Sequence, residues 1–169
     1  MSHLKPLRLI LMRHAKSDWG SPAQRDHERP LNSRGERSAA AMGDWLRAQG
    51  YLPDLVLCSD AVRTRETFAG LNLDTEVRFS PALYHASSDQ MMGVLRSANA
   101  PCVLMIGHNP GIAEFAERLL STEPAHERFF DYPTCATLVA DFEVETWAEV
   151  RYGTGVPLAF VIPAEVMQA

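Results

Sequence analysis

Short apolar runs alternate with segments of helical periodicity along the chain as far as residue 121. The apolar runs that predict buried strands span residues 7–12, 54–59, 76–80 and 101–107. Between them, residues 33–49 show helical spacing, with Asn32 in position to cap the start of the helix and Gly50 to end it. This alternation predicts an α/β fold, a three-layer sandwich in which helices cover both faces of a mainly parallel central sheet.

Three further apolar runs follow near the C-terminus, at residues 136–144, 147–153 and 157–163. Short turns separate them, so they predict strands that add an antiparallel edge to the sheet. A chain of 169 residues suits one hydrophobic core better than two. We therefore expect residues 1–169 to form a single domain.

Composition narrows the classes of partner. The chain has 16 basic and 21 acidic residues, which disfavours nucleic-acid binding through a basic face. No apolar stretch approaches the roughly 20 residues of a membrane span, and the N-terminus does not resemble a signal peptide, so we expect a cytoplasmic protein without a membrane partner. The three cysteines have no CxxC spacing, which favours buried, reduced thiols.

Basic side chains follow three of the predicted strands. Arg13 and His14 end the first strand, Arg63 and Arg65 follow the second, and His108 follows the strand at 101–107. Open parallel sheets bind ligands beyond the carboxyl ends of their strands. A cationic cluster there, beside helix N-termini, suits a small tetrahedral anion such as phosphate. The chain has neither a P-loop nor a GxGxxG motif, so side chains are expected to hold the anion.

Each of these residues also has a structural interpretation. A histidine at a strand end often serves only as a hydrogen-bonded structural group, and Arg63 and Arg65 could lie on a solvated face or in salt bridges. His14 and His108 could hold a metal ion, but neighbouring arginines would repel it, so we expect neither a metal nor an organic cofactor. The joint occurrence of these residues favours a phosphate site.

Three segments resemble the signatures of a known family. "LMRHAKS", "SDAVRTRET" and "GHNPGI" are similar, in this order, to the signatures of the histidine phosphatase superfamily, also called the phosphoglycerate mutase-like superfamily. Ala15 stands where glycine is commoner, and Asp60 replaces a proline. "DHERPLNSRGERSA" resembles a segment of the SixA-like phosphohistidine phosphatases. The resemblance implies a phosphoglycerate mutase-like fold, a single histidine phosphatase domain and phosphatase activity.

The resemblance also implies a role for each residue of the cluster. His14 would be the nucleophile and form a phosphohistidine intermediate that water then hydrolyses. Arg13 and Arg63 would bind the phosphoryl oxygens, and their charges would lower the pKa of His14, which keeps its lone pair available. His108 would donate a hydrogen bond to the transferring group.

A proton donor for the leaving group is not evident. Larger relatives carry a glutamate after the third strand, whereas the corresponding "SPALYHASSDQ" has Tyr84 and His85. An imidazole leaving group needs less protonation than an alkoxide, so this absence favours phosphohistidine as the substrate. Three carboxylic acids in the loop of residues 15–32 could take the place of that glutamate as the proton donor: Asp18, Asp26 and Glu28.

We predict that the chain dephosphorylates a phosphate-bearing substrate, with histidine-phosphorylated protein as the favoured class. A short chain leaves few residues for a lid, so its pocket can admit a side chain of another protein. One alternative is a phosphomonoesterase for sugar or nucleotide phosphates, which requires a working acid in the loop. The other is a non-catalytic phosphate-binding module, which would not need a nucleophilic histidine.

Overall fold

A computed structural model describes residues 5–167 and contains one six-stranded sheet. Its strands are β1 (Leu7–Arg13), β2 (Leu55–Ser59), β3 (Glu76–Ser80), β4 (Cys102–Gly107), β5 (Thr137–Phe142) and β6 (Val156–Val161). Its helices are α1 (Ser33–Gln49), α2 (Val62–Leu71), α3 (Ser88–Arg96), α4 (Gly111–Leu119) and α5 (Pro163–Val166). The strand order is β3-β2-β4-β1-β5-β6.

The first four strands of that order are parallel, and β5 and β6 extend the sheet in antiparallel fashion. The predicted mainly parallel sheet with an antiparallel extension is therefore confirmed. Because β1, β2 and β4 are adjacent and parallel, the segments that follow them emerge at the same edge of the sheet. This topology places the predicted basic residues beside one another.

Helices cover both faces of the sheet, because the two faces of β1 are equally apolar. Leu9 and Leu11 pack into a cluster with side chains of α3 and α4, whereas Ile10 and Met12 pack into a second cluster with side chains of α1 and α2. All four are fully buried, as expected for a strand inside a parallel sheet. The result is the three-layer sandwich predicted from the sequence.

Helix α1 begins and ends where its capping residues predict. The Asn32 side chain accepts a hydrogen bond from the Gly35 N–H at 2.8 Å, and Gly50 ends the helix with φ of 76°. Gly35 also lets the helix approach the loop after β1, since a Cβ at this position would lie 2.1 Å from the Lys16 carbonyl oxygen. The start of α1 therefore supports the loop that carries the candidate site.

The prediction of a strand at residues 147–153 is wrong. Residues Trp147–Glu149 form a short 3-10 helix, whose Trp147 is buried and donates its indole N–H to the Ala100 carbonyl at 2.7 Å. Val150, three residues later, is also buried. The apolar side chains thus follow the turn of a 3-10 helix, and the segment anchors the chain between β5 and β6.

The sequence bears on membrane spans and cysteine pairing, and the described residues give a result for each. No helix formed by residues 5–167 is long and apolar enough to cross a membrane. All three cysteines are unpaired, and Cys58 and Cys135 are buried. Burial raises the pKa of each of these two thiols to about 12, so they stay protonated and behave as apolar side chains.

Candidate active site

A pocket of about 300 Å³ lies where β1, β2 and β4 end. Arg13, His14, Arg63 and His108, the four residues predicted from the sequence, all line it. Asp26 from the loop after β1 lines it as well. The pocket therefore combines two guanidinium groups, two imidazoles and one carboxylate.

The backbone on both sides holds His14 in place. Its N–H donates to the Gly107 carbonyl of β4 at 3.0 Å, and its carbonyl accepts from the Cys135 N–H at 2.9 Å. The His14 Nδ1 lies 2.7 Å from the Ala15 carbonyl oxygen. Because a carbonyl can only accept, Nδ1 carries the ring proton, and the Nε2 atom holds a lone pair.

Burial keeps the His14 imidazole neutral. It lowers the pKa of His14 to about 3, and the nearby charges of Arg13 and Arg63 act in the same direction, against the hydrogen bond to Ala15. The arginines thus act as the sequence predicted, but desolvation is the larger cause. At pH 7 the His14 ring is therefore neutral, and its Nε2 atom is unprotonated with its lone pair available.

His108 lies beside His14, with ring centroids 5.4 Å apart. Its Nε2 atom shares a hydrogen bond of 2.7 Å with the Ser59 hydroxyl at the end of β2. Its Nδ1 atom is buried and has no hydrogen-bond partner within residues 5–167. Burial lowers the pKa of His108 to about 3, and the proximity of His14 and Arg63 further disfavours a positive charge on its ring. A buried ring nitrogen without a protein partner is suited to a ligand.

The two arginines differ in what they contact. The Arg13 Nη1 donates to the Tyr132 carbonyl at 3.2 Å, and its Nε is buried without a partner among the described residues. The Arg63 Nη1 and Nη2 donate to the Asp26 carbonyl at 2.7 Å and to its carboxylate at 3.0 Å. By contrast, Arg65 lies outside the pocket, where its Nε donates to the Asp60 carbonyl.

Of the three loop carboxylates named from the sequence, only Asp26 lines the pocket. It begins a 3-10 helix, Asp26–Glu28, and its Oδ2 accepts from the Tyr84 hydroxyl at 2.5 Å and the His85 Nε2 at 3.2 Å. Burial raises the pKa of Asp26, but the hydrogen bonds from Tyr84 and Arg63 outweigh it and hold that pKa far below the usual range. Asp26 is therefore ionised.

The other two carboxylates point elsewhere. The Asp18 carboxylate accepts from the Gly20 N–H at 2.8 Å within its own turn, and Glu28 is exposed to solvent. Neither belongs to the pocket lining.

The loop around Asp26 is fastened by contacts that the sequence did not reveal. His27 donates from Nε2 to the Asp60 carboxylate at 2.9 Å, which connects the loop to the segment after β2. Asp60 stands where the family signature has a proline, so this departure from the signature has a structural role. Trp19, which also lines the pocket, stacks on the Arg29 guanidinium at 3.8 Å and is 69% exposed.

Two residues of the segment before β5 have a left-handed backbone conformation, and both contact residues of the site. Tyr132 has φ of 48° and Cys135 has φ of 63°. The Tyr132 carbonyl accepts from Arg13 and Asn109, and the Cys135 N–H donates to His14. Neither residue is glycine or asparagine, so no turn signal in the sequence points to this conformation.

The donor set fits an anion better than a cation. Two guanidinium groups flank the histidines, and a cation there would meet their repulsion. In the part of the chain that the structure describes, no three His, Cys, Asp or Glu side chains form a cluster able to hold a metal ion.

The buried neutral histidines predict a pH-dependent stability. Their pKa values are about 3 in the folded chain and about 6.5 when unfolded, so the unfolded chain binds more protons between these values. The free energy of unfolding should therefore decrease as pH falls from about 6.5 to 4, by up to about 1.4 kcal/mol per pH unit for each histidine.

Urea unfolding at several pH values in phosphate-free buffer measures this slope. His108→Asn removes one of the two groups and should reduce the slope by up to about 1.4 kcal/mol per pH unit. A slope that His108→Asn leaves unchanged would contradict the assignment.

Comparison with known proteins identifies the family. Residues 9–94 match the histidine phosphatase superfamily (branch 1). An uncharacterised protein of Mycobacterium tuberculosis strain H37Rv is 35% identical over 159 residues, which are 90% of this chain and 99% of that protein. An uncharacterised chloroplast protein of Arabidopsis thaliana is 35% identical over 66% of this chain, and the match spans 58% of the plant protein's length.

A solved structure shows the same likeness in three dimensions. The protein from Nakamurella multipartitia, provisionally assigned as phosphohistidine phosphatase SixA, superposes with a TM-score of 0.80. It is 32% identical, and the match covers 95% of this chain and 98% of that one. The chain therefore belongs to the histidine phosphatase superfamily, as a SixA-like phosphatase with the phosphoglycerate mutase-like fold.

Proposed function

We propose that the protein removes the phosphoryl group from phosphohistidine on other proteins, with His14 as the nucleophile. The observation that carries this proposal is the His14 side chain, whose Nδ1–H is held by the Ala15 carbonyl in a pocket that Arg13 and Arg63 also line. A neutral imidazole with a fixed tautomer is the form that attacks phosphorus.

Arg13, Arg63 and His108 bind the phosphoryl group in this proposal. The unpartnered Nε of Arg13 and Nδ1 of His108 are buried donors that phosphoryl oxygens can satisfy. Positioning and charge neutralisation are the main contributions a protein makes to phosphoryl transfer. These groups are in place before the substrate arrives, so little reorganisation is needed.

Transfer then proceeds in two steps. The His14 Nε2 forms a bond to phosphorus while the bond between phosphorus and the substrate's nitrogen breaks, and its electron pair stays on the leaving imidazole. Water next attacks phosphorus on His14 and releases inorganic phosphate, and the electron pair returns to Nε2. The Ala15 carbonyl stabilises the charge that the His14 ring acquires while it is phosphorylated.

Three observations support phosphohistidine on a protein as the substrate. The similar structure from Nakamurella multipartitia has that provisional assignment. The carboxylate in the pocket, Asp26, is ionised and has no proton to donate to an alkoxide. The exposed Trp19 at the rim offers contact area to a macromolecule that presents its side chain to the pocket.

A small-molecule phosphomonoesterase is the second candidate, because Asp26 lies in the pocket where a proton donor would act. This candidate requires Asp26 to become protonated when the substrate binds. It could then donate that proton to the leaving oxygen as the ester bond breaks. The two candidates therefore differ in which leaving groups the enzyme can expel.

Substrate preference tests the proposal. We expect the parent protein to dephosphorylate a phosphohistidine-bearing phosphotransfer domain in the presence of EDTA. Its kcat/KM should exceed that for an alkyl phosphate by about 100-fold or more, because imidazole departs without a general acid. Faster hydrolysis of alkyl phosphates than of the phosphorylated domain would establish the second candidate instead.

A further inference from the structure

A single carboxylate occupies a pocket otherwise built for an anion. The Asp26 Oδ2 accepts hydrogen bonds from Tyr84, Arg63 and His85, at 2.5, 3.0 and 3.2 Å. Its Oδ1 accepts none from any group within residues 5–167. A negative charge here weakens the binding of a phosphate dianion. The Asp26 side chain is 40% exposed, so its Oδ1 is accessible to a ligand group that donates a hydrogen bond.

The chemistry of phosphohistidine provides such a group. When the bond between phosphorus and nitrogen breaks, the electron pair stays on the leaving nitrogen. If the other ring nitrogen carries a proton, the product is neutral imidazole; without that proton, the product is an imidazolate, a far poorer leaving group. The reactive substrate is therefore the ring protonated on its distal nitrogen.

His14 meets the same requirement from the opposite side of the phosphorus. It becomes the leaving group in the second step, and the Ala15 carbonyl accepts from its distal N–H at 2.7 Å. The substrate ring needs an equivalent acceptor in the pocket. Among the groups that line the pocket, the Asp26 carboxylate is the one that is both anionic and partly unused.

We propose that Asp26 accepts a hydrogen bond from the distal N–H of the substrate's phosphorylated ring and thereby selects phosphohistidine over phosphate esters. This inference rests on the proposed function. The ion pair favours the protonated ring, and no proton passes from Asp26 to the leaving nitrogen. An ester leaving group has no N–H, so Asp26 offers it only repulsion.

The neighbours of Asp26 hold it in this role. Tyr84 and His85 occupy the stretch where larger relatives carry a glutamate, and both donate to Asp26. His27, next in the chain, is anchored to Asp60 at 2.9 Å. These contacts hold the carboxylate in place and keep it ionised. Both conditions are needed for it to accept a hydrogen bond from a cationic ring.

Asp26→Asn tests the inference, since it removes the charge and keeps the size of the side chain. The substrates are a phosphohistidine peptide and 4-nitrophenyl phosphate, whose leaving group needs no protonation. We expect the ratio of kcat for the peptide to kcat for the aryl phosphate to fall about 10- to 100-fold, because the substitution removes an attraction for the protonated ring and a repulsion against the ester. Glu28→Gln, an exposed carboxylate of the same short helix, is the control and should change neither rate.

The pH profile gives a second readout. Asp26 raises the pKa of the bound ring, so turnover of the peptide by the parent decreases only when pH rises above that value. In Asp26→Asn this decrease should begin about one pH unit lower or more, with no such shift for the aryl phosphate.

Other outcomes overturn the inference in distinguishable ways. Equal losses on both substrates would mean that Asp26 only anchors Arg63. A larger loss on an alkyl phosphate, whose leaving group needs a proton, than on the peptide would make Asp26 a general acid. A parent protein that turns over the aryl phosphate but no phosphohistidine would refute the proposed function itself.

Discussion

Replacing His14 with alanine is expected to reduce the turnover of phosphohistidine and aryl phosphate alike by about 10⁴-fold or more. The size follows from the proposed two-step route, in which the covalent intermediate forms on Nε2; without that atom, water would have to attack the substrate directly. Because the effect does not depend on the leaving group, both substrates should lose activity together. Rate measurements with EDTA present test this.

The covalent intermediate gives a direct readout of the same prediction. The parent protein, mixed with a radiolabelled substrate and denatured quickly, should carry an acid-labile label that His14→Ala lacks. The variant should still bind inorganic phosphate, because Arg13, Arg63 and His108 remain in the pocket. His126→Ala, which removes a histidine paired with Glu165 away from the pocket, is the matched control. A label that persists in His14→Ala would place the nucleophile elsewhere.

The convergence of these four residues could be predicted from the sequence for a topological reason. Each lies at or just after the carboxyl end of a parallel strand, and the carboxyl ends of such strands meet at one edge of the sheet. The structure places Arg13, His14, Arg63 and His108 around one pocket, as this rule requires. Arg65 has nearly the same position in the sequence as Arg63, but it faces away, because side chains two residues apart on a helix do not share a face.

The place of Asp26 could not be predicted in the same way. The loop of residues 15–32 contains several carboxylates and no periodicity that would distinguish them. The one that faces the pocket is selected by distant contacts, such as His27 with Asp60 and Tyr84 with Asp26. Such contacts join segments more than 30 residues apart, and a local pattern does not encode them.

The incorrect prediction of a strand at residues 147–153 has a different cause. Its alternation of apolar and polar residues fits a period of two, but Trp147 and Val150 are both buried, which fits a turn of three residues. In a segment of seven residues Val150 satisfies both periods, and Trp147 alone distinguishes them, because a strand would place it on the face opposite Val150. The hydrogen bond from the Trp147 indole to the Ala100 carbonyl stabilises the 3-10 helix, and this contact is not encoded in the local pattern.

The second large effect is expected at His108. Replacing it with alanine should reduce turnover about 10²- to 10³-fold, the usual consequence of removing one preorganised donor to the transferring group. Its Nδ1 can donate only if it carries the ring proton, since a neutral imidazole has one. The Ser59 hydroxyl selects this tautomer by donating to Nε2, while the Ser59 oxygen accepts from the Ala61 N–H at 3.4 Å.

Ser59→Ala is therefore expected to cost about tenfold in turnover, because it removes the hydroxyl that favours the donating tautomer. Ser88→Ala is the matched control, since Ser88 is an equally buried serine that does not line the pocket, and it should not change the rate. If Ser59 acts only through His108, adding Ser59→Ala to His108→Ala should cause no further loss. Independent, multiplying losses in the double variant would show that Ser59 contributes to the pocket by a route other than the tautomer of His108.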